Sequence, residues 1–365
     1  MTRKKVALVL TGGGARGAYQ AGILKSWEHL FKQGGKIEII SGFSAGSVNT
    51  LLLTENTNAL VNGVDAMIKL WLSLHPTDIY DANFRAIVKN TFNLIRSSRR
   101  IEKGSKGNIL RAFLDSMPLY HFLNKHVDFD KIHQQLKSNP ELALVVNCFN
   151  YTNMKNVAFF QTESNIPGWE RPNRIGLPTK INAKHILASC SVPIIFAPVN
   201  IGGSYYGDGT VRNIAPLNPA IQLGADRIIC ISMSGLSANL MQGETPSLGN
   251  IAEAIFDSMS MDAVEYDSKI LNRINVLSNQ IPGKKRDYRM VELCTINPQL
   301  NFGTIVAKFN KRFPKSVRYL LGGWLSPELM SFLLFDGEFS EYLIDKGYED
   351  GKLYIETVEK WLLDT

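Results

Sequence analysis

Cysteine is scarce in this chain: four occur in 365 residues, Cys148, Cys190, Cys230 and Cys294. None belongs to a C-x-x-C pair, which argues against a structural zinc site. Cys148 and Cys230 sit in the apolar runs "LALVVNCF" and "RIICIS", where reduced, buried thiols of a cytoplasmic protein are expected. Long apolar runs are scarce too. The first, Val6–Leu10, meets glycines too soon for a secretory signal. The stretch from His185 to Gly207 lacks charge, but Pro193, Pro198, Asn200 and Gly202-Gly203 interrupt it. It therefore reads as a buried, strand-rich segment rather than a membrane-spanning helix. Charge is not lopsided enough to name a partner. A formal net charge of +7 suits a solvated basic surface as well as an anionic partner such as nucleic acid or a phospholipid surface. With 45% hydrophobic and 20% charged residues, a packed core is expected and wholesale disorder is not.

What is present alternates. "VALVL" has the continuous hydrophobicity of a buried parallel strand. "GAYQAGILKSWEHLFKQG" then has helical spacing, with Tyr19, Ile23, Trp27 and Leu30 on one face and Gly34 as a stop. "IEII" (Ile37–Ile40) reads as a second strand, and "GFSAGSVNTLLL" as a sharp turn into a second helix. Residues 60–139 look mainly helical around a basic, glycine- and serine-rich middle, Arg96–Asn108. That middle suits a solvated loop or a membrane-surface contact near a site mouth. "LALVVNCFNY" and "NVAFFQT" are strands; "INAKHILASCSVPIIFAP" is a short helix followed by a buried extended run. "VNIGGSYYGDGT" carries a hairpin signature, "DRIICISMS" is a further strand, and the chain beyond Ser247 is largely helical, with basic loops such as Gly283–Asp287.

Near the start, "LTGGGARGAYQAG" fits G-x-G-x-x-G through Gly12, Gly14 and Gly17. Two things a nucleotide would need are missing. A dinucleotide fold wants an acidic residue at the end of the second strand, but Ser41-Gly42 stands there, and Glu38 lies at the strand's start. A Walker loop wants Gly-Lys-Ser/Thr, and Arg16-Gly17-Ala18 does not supply it.

The turn "GFSAG" is G-x-S-x-G: Gly42, Phe43, Ser44, Ala45, Gly46. It follows a strand and opens a helix, the place of a nucleophile elbow. Gly42, Ala45 and Gly46 around Ser44 are small, as a turn where strand and helix nearly touch requires. The helix N-terminus favours developing negative charge. Gly12, Gly13 and Gly14, at the end of the neighbouring strand, have amides free to face the same spot as the Ala45 amide. Both motifs then share one purpose, an oxyanion hole beside a serine nucleophile.

Serine needs a base. None of the histidines His29, His75, His121, His126, His133 and His185 lies in a strong motif, and His185, just before "ILASCSVP", is the least implausible. Asp208 in "YYGDGT" ends the long uncharged stretch, between glycines that permit close approach. Burial would raise its pKa and make it a better base near neutral pH. Taken alone it is also an ordinary turn aspartate. A rival Asp-Gly at Asp336 lies among charged residues between helical segments.

Together, "GGGARG", "GFSAG", "ASCSVPIIF" (Ala188–Phe196) and "DGT", in this order and spacing, resemble the bacterial patatin-like phospholipases. The resemblance covers Lys5 to Ser232; "LLFDGEFSEYLIDKGYEDG" is similar to extensions of some members. It implies a three-layer α/β/α fold with a mainly parallel central sheet and a helical C-terminal portion. The expected division is a catalytic α/β domain over 5–235 and a mainly helical extension over 236–365 packed on it. It further implies a Ser-Asp dyad without histidine, with Ser44 as nucleophile and Asp208 as base, hydrolysing phospholipid or lysophospholipid acyl esters. Gly12, Gly13 and Gly14 would shape the oxyanion loop, Gly42 and Gly46 the elbow, and Arg16 would brace the loop or attract the substrate phosphate. Thr210 departs from the family's usual Asp-Gly-Gly or Asp-Gly-Ala. This chemistry requires no metal and no cofactor. A cytoplasmic protein with peripheral membrane contact, and no nucleic-acid partner, is expected. A nucleotide-binding module on the glycine loop and a weakly active lipid-binding protein are the alternatives.

Overall fold

In the computed structural model, the run Val6–Leu10 forms strand β1, fully buried on both faces. The residues described are 3–81, 112, 114–233, 235, 245, 250, 251, 253, 254, 262–280, 289–320, 322 and 325–363. The basic stretches 96–108 and 283–287 lie outside them.

Strand β1 is flanked by β2 (Ile39–Phe43) and β9 (Arg227–Ile231), both parallel to it. Beyond β2 comes β3 (Ala143–Asn150), and beyond β9 comes β10 (Glu292–Ile296), again parallel. Outside β3 the sheet turns mixed. β4 (Lys155–Thr162) runs antiparallel to β3 and is followed by β6 (Arg174–Pro178) and β5 (Trp169–Arg171). The hairpin β7 (Val199–Ile201) and β8 (Ser204–Asp208) pairs with the end of β3. Its turn residues Gly202 and Gly203 both have positive φ, as a tight hairpin requires.

Alternation along β1 separates two cores. Val6, Leu8 and Leu10 face one side, and Ala7 and Val9 face the other. The first side is covered by α1 (Ala18–Ser26), α3 (Ala45–Glu55), α4 (Leu60–Ser73) and α14 (Gly337–Gly351). The second is covered by α9 (Asn218–Gln222) and α10 (Asp262–Gln280), through Ala220, Leu223, Val264 and Leu271. The result is a mixed α/β architecture of three layers. Helix α2 (Glu28–Lys32) follows α1 after a break at Trp27. Among the described residues, helices α5 (Pro76–Ile79), α6 (Met117–His126), α7 (Phe129–Ser138) and α8 (Ala183–Ser189) complete the first two-thirds. The remaining C-terminal helices are α11 (Phe302–Lys308), α12 (Lys315–Leu320), α13 (Pro327–Met330) and α15 (Ile355–Leu362).

Helices α1 and α14 meet backbone to backbone. A methyl at Gly22 would lie 2.0 Å from the Ile344 carbonyl oxygen, and one at Gly347 would lie 2.1 Å from that of Tyr19. The Tyr19 hydroxyl donates to Asp350 at 2.6 Å and the Trp27 indole to the Gly351 carbonyl at 3.0 Å.

Three elements differ from the sequence expectation. The second strand starts at Ile39 and runs on through Gly42 and Phe43, because β3 offers those residues partners. The extended run expected after α8 is a turn. Phe196 N–H closes back on the Val192 carbonyl, and Ile194 stands exposed with φ +71°. Pro193 and Pro198 bring no N–H to a ladder. Strand β10 lies in the C-terminal third expected to be mainly helical; its residues are mostly half-buried, so the apolar pattern that marks an interior strand is weak. Among the described residues no helix is long and apolar enough to cross a membrane.

Candidate active site

Ser44 stands between the last residue of β2 and the first of α3, with φ 51° and ψ −133°. A residue with a Cβ rarely adopts that conformation, which costs roughly 1–3 kcal/mol and is held only where the surroundings dictate it. Here they do. A methyl at Gly42 would lie 2.6 Å from the Gly46 carbonyl, and one at Gly46 would lie 2.2 Å from the Leu10 carbonyl oxygen. Gly42 lets β2 meet α3, and Gly46 lets α3 meet the end of β1, at backbone contact, and the turn presents Ser44 to the cavity described below. The Ser44 N–H donates to the Ser189 hydroxyl at 3.0 Å, which in turn donates to the Asn147 carbonyl at 2.7 Å. The Asn147 amide reaches back to the Gly42 carbonyl at 3.1 Å.

Asp208 ends β8 and is completely buried. Its N–H donates to the Ser191 carbonyl at 2.9 Å, and its Oδ1 accepts the Thr210 N–H at 2.8 Å. Burial pushes its carboxyl up to about 6; the Thr210 N–H and the hydroxyls of Ser44 and Thr210 pull the other way. The Ser44 hydroxyl is thus close enough to favour the ionised carboxylate. Oδ2 nonetheless has no hydrogen bond of full geometry among the described residues, a looseness common in nucleophile–base pairs at rest. Serine and aspartate, 164 positions apart, meet because β2 and β8 pair end to end along the same edge of β3, Phe43 opposite Asn147 and Asp208 opposite Cys148, while β4 takes the other edge.

The glycine loop closes the third side. A methyl at Gly12 would lie 2.7 Å from Ser44 Cβ and 3.2 Å from Thr210 Cγ2. Thr210, the unusual third residue of the Asp-Gly-Thr turn, therefore packs on the loop. The loop's flanks are fixed: Thr11 N–H donates to the Ile231 carbonyl, Ala15 N–H to the Phe332 carbonyl and Arg16 N–H to the Gly13 carbonyl. The N–H groups of Gly12, Gly13, Gly14 and Ala45 have no partner among the described residues. Four main-chain donors thus remain available around Ser44, one of them at the N-terminus of α3.

Arg16 is fully buried and points into the C-terminal region, against Glu328, Ser331, Phe302 and Phe332. It does not line the cavity that opens at Ser44. That cavity encloses about 750 Å³ of space free of atoms, open solvent at its mouth included. It is narrow. Gly14, Ser44 and Ala45 line it together with Leu70, Trp71, Ile79, Phe196, Leu333 and Phe335, among others. Among the described residues no charged side chain lines it. The Trp71 indole donates to Asn49 at 2.8 Å, Asn49 to Gln20 at 2.8 Å, and Gln20 to the Thr11 carbonyl at 2.9 Å. A buried polar chain therefore joins the cavity wall to the base of the glycine loop.

None of the six histidines lines this cavity. The His185 ring accepts the Asn182 N–H at 3.1 Å and sits edge-on to Phe159; burial pushes it down to about 4, so it is neutral at physiological pH. Asp336 caps α14, accepting the N–H groups of Glu338 and Phe339. Cys190 lines the cavity, but burial raises its thiol far above the usual range. Glu38, at the other end of β2, accepts the Val6 N–H and pairs with Arg3. Among the described residues no three His, Cys, Asp or Glu side chains gather as a metal site would need. Ser189, Ser191 and Asn147 were not singled out from the sequence. The block "ASCSVP" carried the signal, but its task, tying elbow and aspartate together, needs the fold to be seen.

A family model described as patatin-like phospholipase matches residues 8–221. A probable lipid hydrolase, 463L of Invertebrate iridescent virus 6, is 27% identical over 217 residues, which is 59% of this chain and 63% of the relative. The chain thus spans less than two-thirds of that relative's length. Two solved structures align over nearly the whole chain. VipD from Legionella pneumophila has 15% identity and a TM-score of 0.38, covering 97% of this chain and 67% of its own. The type III effector ExoU has 11% identity and a TM-score of 0.35, covering 98% and 53%. At those scores neither bears on the fold, which the strand order establishes by itself.

Proposed function

This chain belongs to the patatin-like phospholipase family, and from that premise we propose that it is a lipid acyl hydrolase working through Ser44 and Asp208. The observation that carries the reading is a convergence. The strained Ser44 lines an apolar cavity beside Gly14 and Ala45, Gly12 packs against its Cβ, and the fully buried Asp208 carboxyl lies near its hydroxyl.

Asp208 takes the proton of Ser44 as its Oγ attacks the ester carbonyl. A carboxylate with a pKa near 6 is ionised at pH 7 yet basic enough to accept that proton. The amides of Gly12, Gly13, Gly14 and Ala45 receive the oxyanion of the tetrahedral intermediate. The proton passes to the departing lysolipid or alcohol, leaving an acyl-serine. Water, deprotonated by Asp208, then attacks the acyl-serine, and Ser44 recovers its proton. The apolar cavity takes the acyl chain, and the absence of charged side chains among its described lining residues leaves the polar head group outside. A carboxylic ester of a phospholipid or lysophospholipid meets both demands.

Two proposals on organisation accompany this. Residues 5–235 form the catalytic α/β unit, and 236–365 a C-terminal extension that supplies β10 and part of the cavity wall. The enzyme works in the cytoplasm and meets its substrate at a membrane surface. The deciding experiment is a panel of phospholipids, lysophospholipids and short-chain esters, assayed with the natural protein, Ser44→Ala and Asp208→Ala. Turnover is expected for at least one lipid ester and absent in both variants while they stay folded. Turnover that persists in Ser44→Ala overturns the assignment. A dinucleotide site is disfavoured by side chains and backbone that occupy the space around the glycines: Ser44 at Gly12, Met233 at Gly13 and Phe332 at Gly14.

A further inference from the structure

A loop of three successive glycines has little stiffness of its own. Oxyanion donors must nevertheless stand about 2.7–3.1 Å from the developing charge. Something outside the loop must hold it, and the structure shows what does. Arg16, two residues past Gly14, sends Nη2 to the Glu328 carboxylate at 2.8 Å and to the Glu328 carbonyl at 2.6 Å. Its Nε donates to the Ser331 hydroxyl at 2.6 Å. Its guanidinium lies over the rings of Phe302, at 4.4 Å, and Phe332, at 4.0 Å. The other Glu328 oxygen accepts the Gly303 N–H. The main chain adds a second tie, Ala15 N–H to the Phe332 carbonyl at 3.0 Å.

All these partners come from residues 302–332, some 300 positions away in the chain. A fully buried guanidinium is tolerated only when its charge is matched, and removing one partner of such a pair is strongly unfavourable. If Glu328 loses its charge, the buried Arg16 guanidinium loses the carboxylate it is matched against among the described residues, and the glycines beside it shift with it.

We propose that Glu328 is a positioning residue for ester hydrolysis, which through Arg16 aims the Gly12–Gly14 amides at the oxyanion. This rests on the lipid acyl hydrolase reading above. Neither Arg16 nor Glu328 lines the cavity, although Leu329 and Phe332 beside them do, so the charge they share meets no substrate. It therefore acts on kcat rather than on KM.

The test uses the full-length chain with Glu328→Gln, Arg16→Met, the double variant and Ser331→Ala. Each is assayed on a short-chain ester and a long-chain phospholipid, and in the rate of covalent labelling of Ser44 by a fluorophosphonate. Thermal unfolding reports folding. In Glu328→Gln, kcat should fall about 10- to 100-fold on both substrates with KM within about twofold, as for misaligned oxyanion donors. Labelling should slow in parallel, and the double variant should lose no more than the worse single one. Glu328→Asp, which keeps the charge, should recover part of the rate. A folded Glu328→Gln protein with natural kcat and labelling rate overturns the inference, as does a change confined to KM. If Glu328→Gln does not fold, Ser331→Ala decides: a severalfold loss of kcat supports the brace and an unchanged kcat refutes it. A natural protein without Ser44-dependent turnover removes the hydrolase reading itself; an active one indifferent to Glu328 and Ser331 removes this inference alone.

Discussion

Asp208→Asn should destroy activity and yet stabilise the protein at neutral pH. The carboxyl rises from 3.8 to about 6 because it is wholly buried. Between those two values the folded chain holds a proton that the unfolded chain has released, so stability falls as pH rises. Above pH 6 the penalty is complete. Roughly two pKa units at 1.36 kcal/mol each amount to about 3 kcal/mol. Below the unfolded value both states are protonated and the penalty is absent. Asparagine removes the charge but keeps an oxygen for the Thr210 N–H, now accepted by Oδ1 at 2.8 Å. Urea unfolding of both proteins at pH 7.5 and pH 4 measures the difference. The asparagine variant should gain up to about 3 kcal/mol at the higher pH and nearly nothing at the lower. In the natural enzyme, kcat/KM should rise tenfold per pH unit below about 6 and level off above it. An Asp208→Asn protein less stable than the natural one at pH 7.5, or a pH–rate profile flat from 4.5 to 8, would refute the reasoning.

Other outcomes follow from backbone geometry. Ser44→Gly should be more stable than Ser44→Ala by about 1 kcal/mol in denaturant titration, because glycine relaxes the strain at φ 51°. Both should be inactive in the ester assay, and equal stabilities would mean the elbow holds no strain. Gly46→Ala places a methyl 2.2 Å from the Leu10 carbonyl oxygen; it should cost about 3 kcal/mol in unfolding free energy or prevent folding. A fully stable, active Gly46→Ala protein would show that α3 does not need its backbone contact with the end of β1.

The parts of the site legible in the sequence are those fixed by local backbone chemistry. G-x-S-x-G announces a tight strand-to-helix turn, whereas Asp-Gly after a long uncharged stretch reads by itself as an ordinary turn, and only the order of the four blocks singles out Asp208. Burial patterns likewise gave β1, β3, β4 and β9, since a strand covered on both faces must be apolar throughout. The pairing of Arg16 with Glu328 was not legible. One lone arginine and one lone glutamate 312 positions apart carry no mark of their partnership, and an arginine beside a glycine loop suits a phosphate as well as a brace. Helix-spaced apolar residues around Trp71 signal a core face, and nothing in them distinguishes a filled core from a cavity wall. Strand β10 went unread because an edge strand, half-buried, lacks the pattern that burial imposes on central ones.

The crossing of α1 and α14 bears on how such chains can diversify. Where Gly22 rests on Ile344 and Gly347 on Tyr19, neither helix can change partners by trimming a side chain, since there is none to trim. A chimera joining the front of this chain to the tail of a relative must inherit a matching notch at both places. Recombination that breaks the match leaves two well-formed halves unable to seat, so the tail and the head of this protein are bound to evolve as a pair.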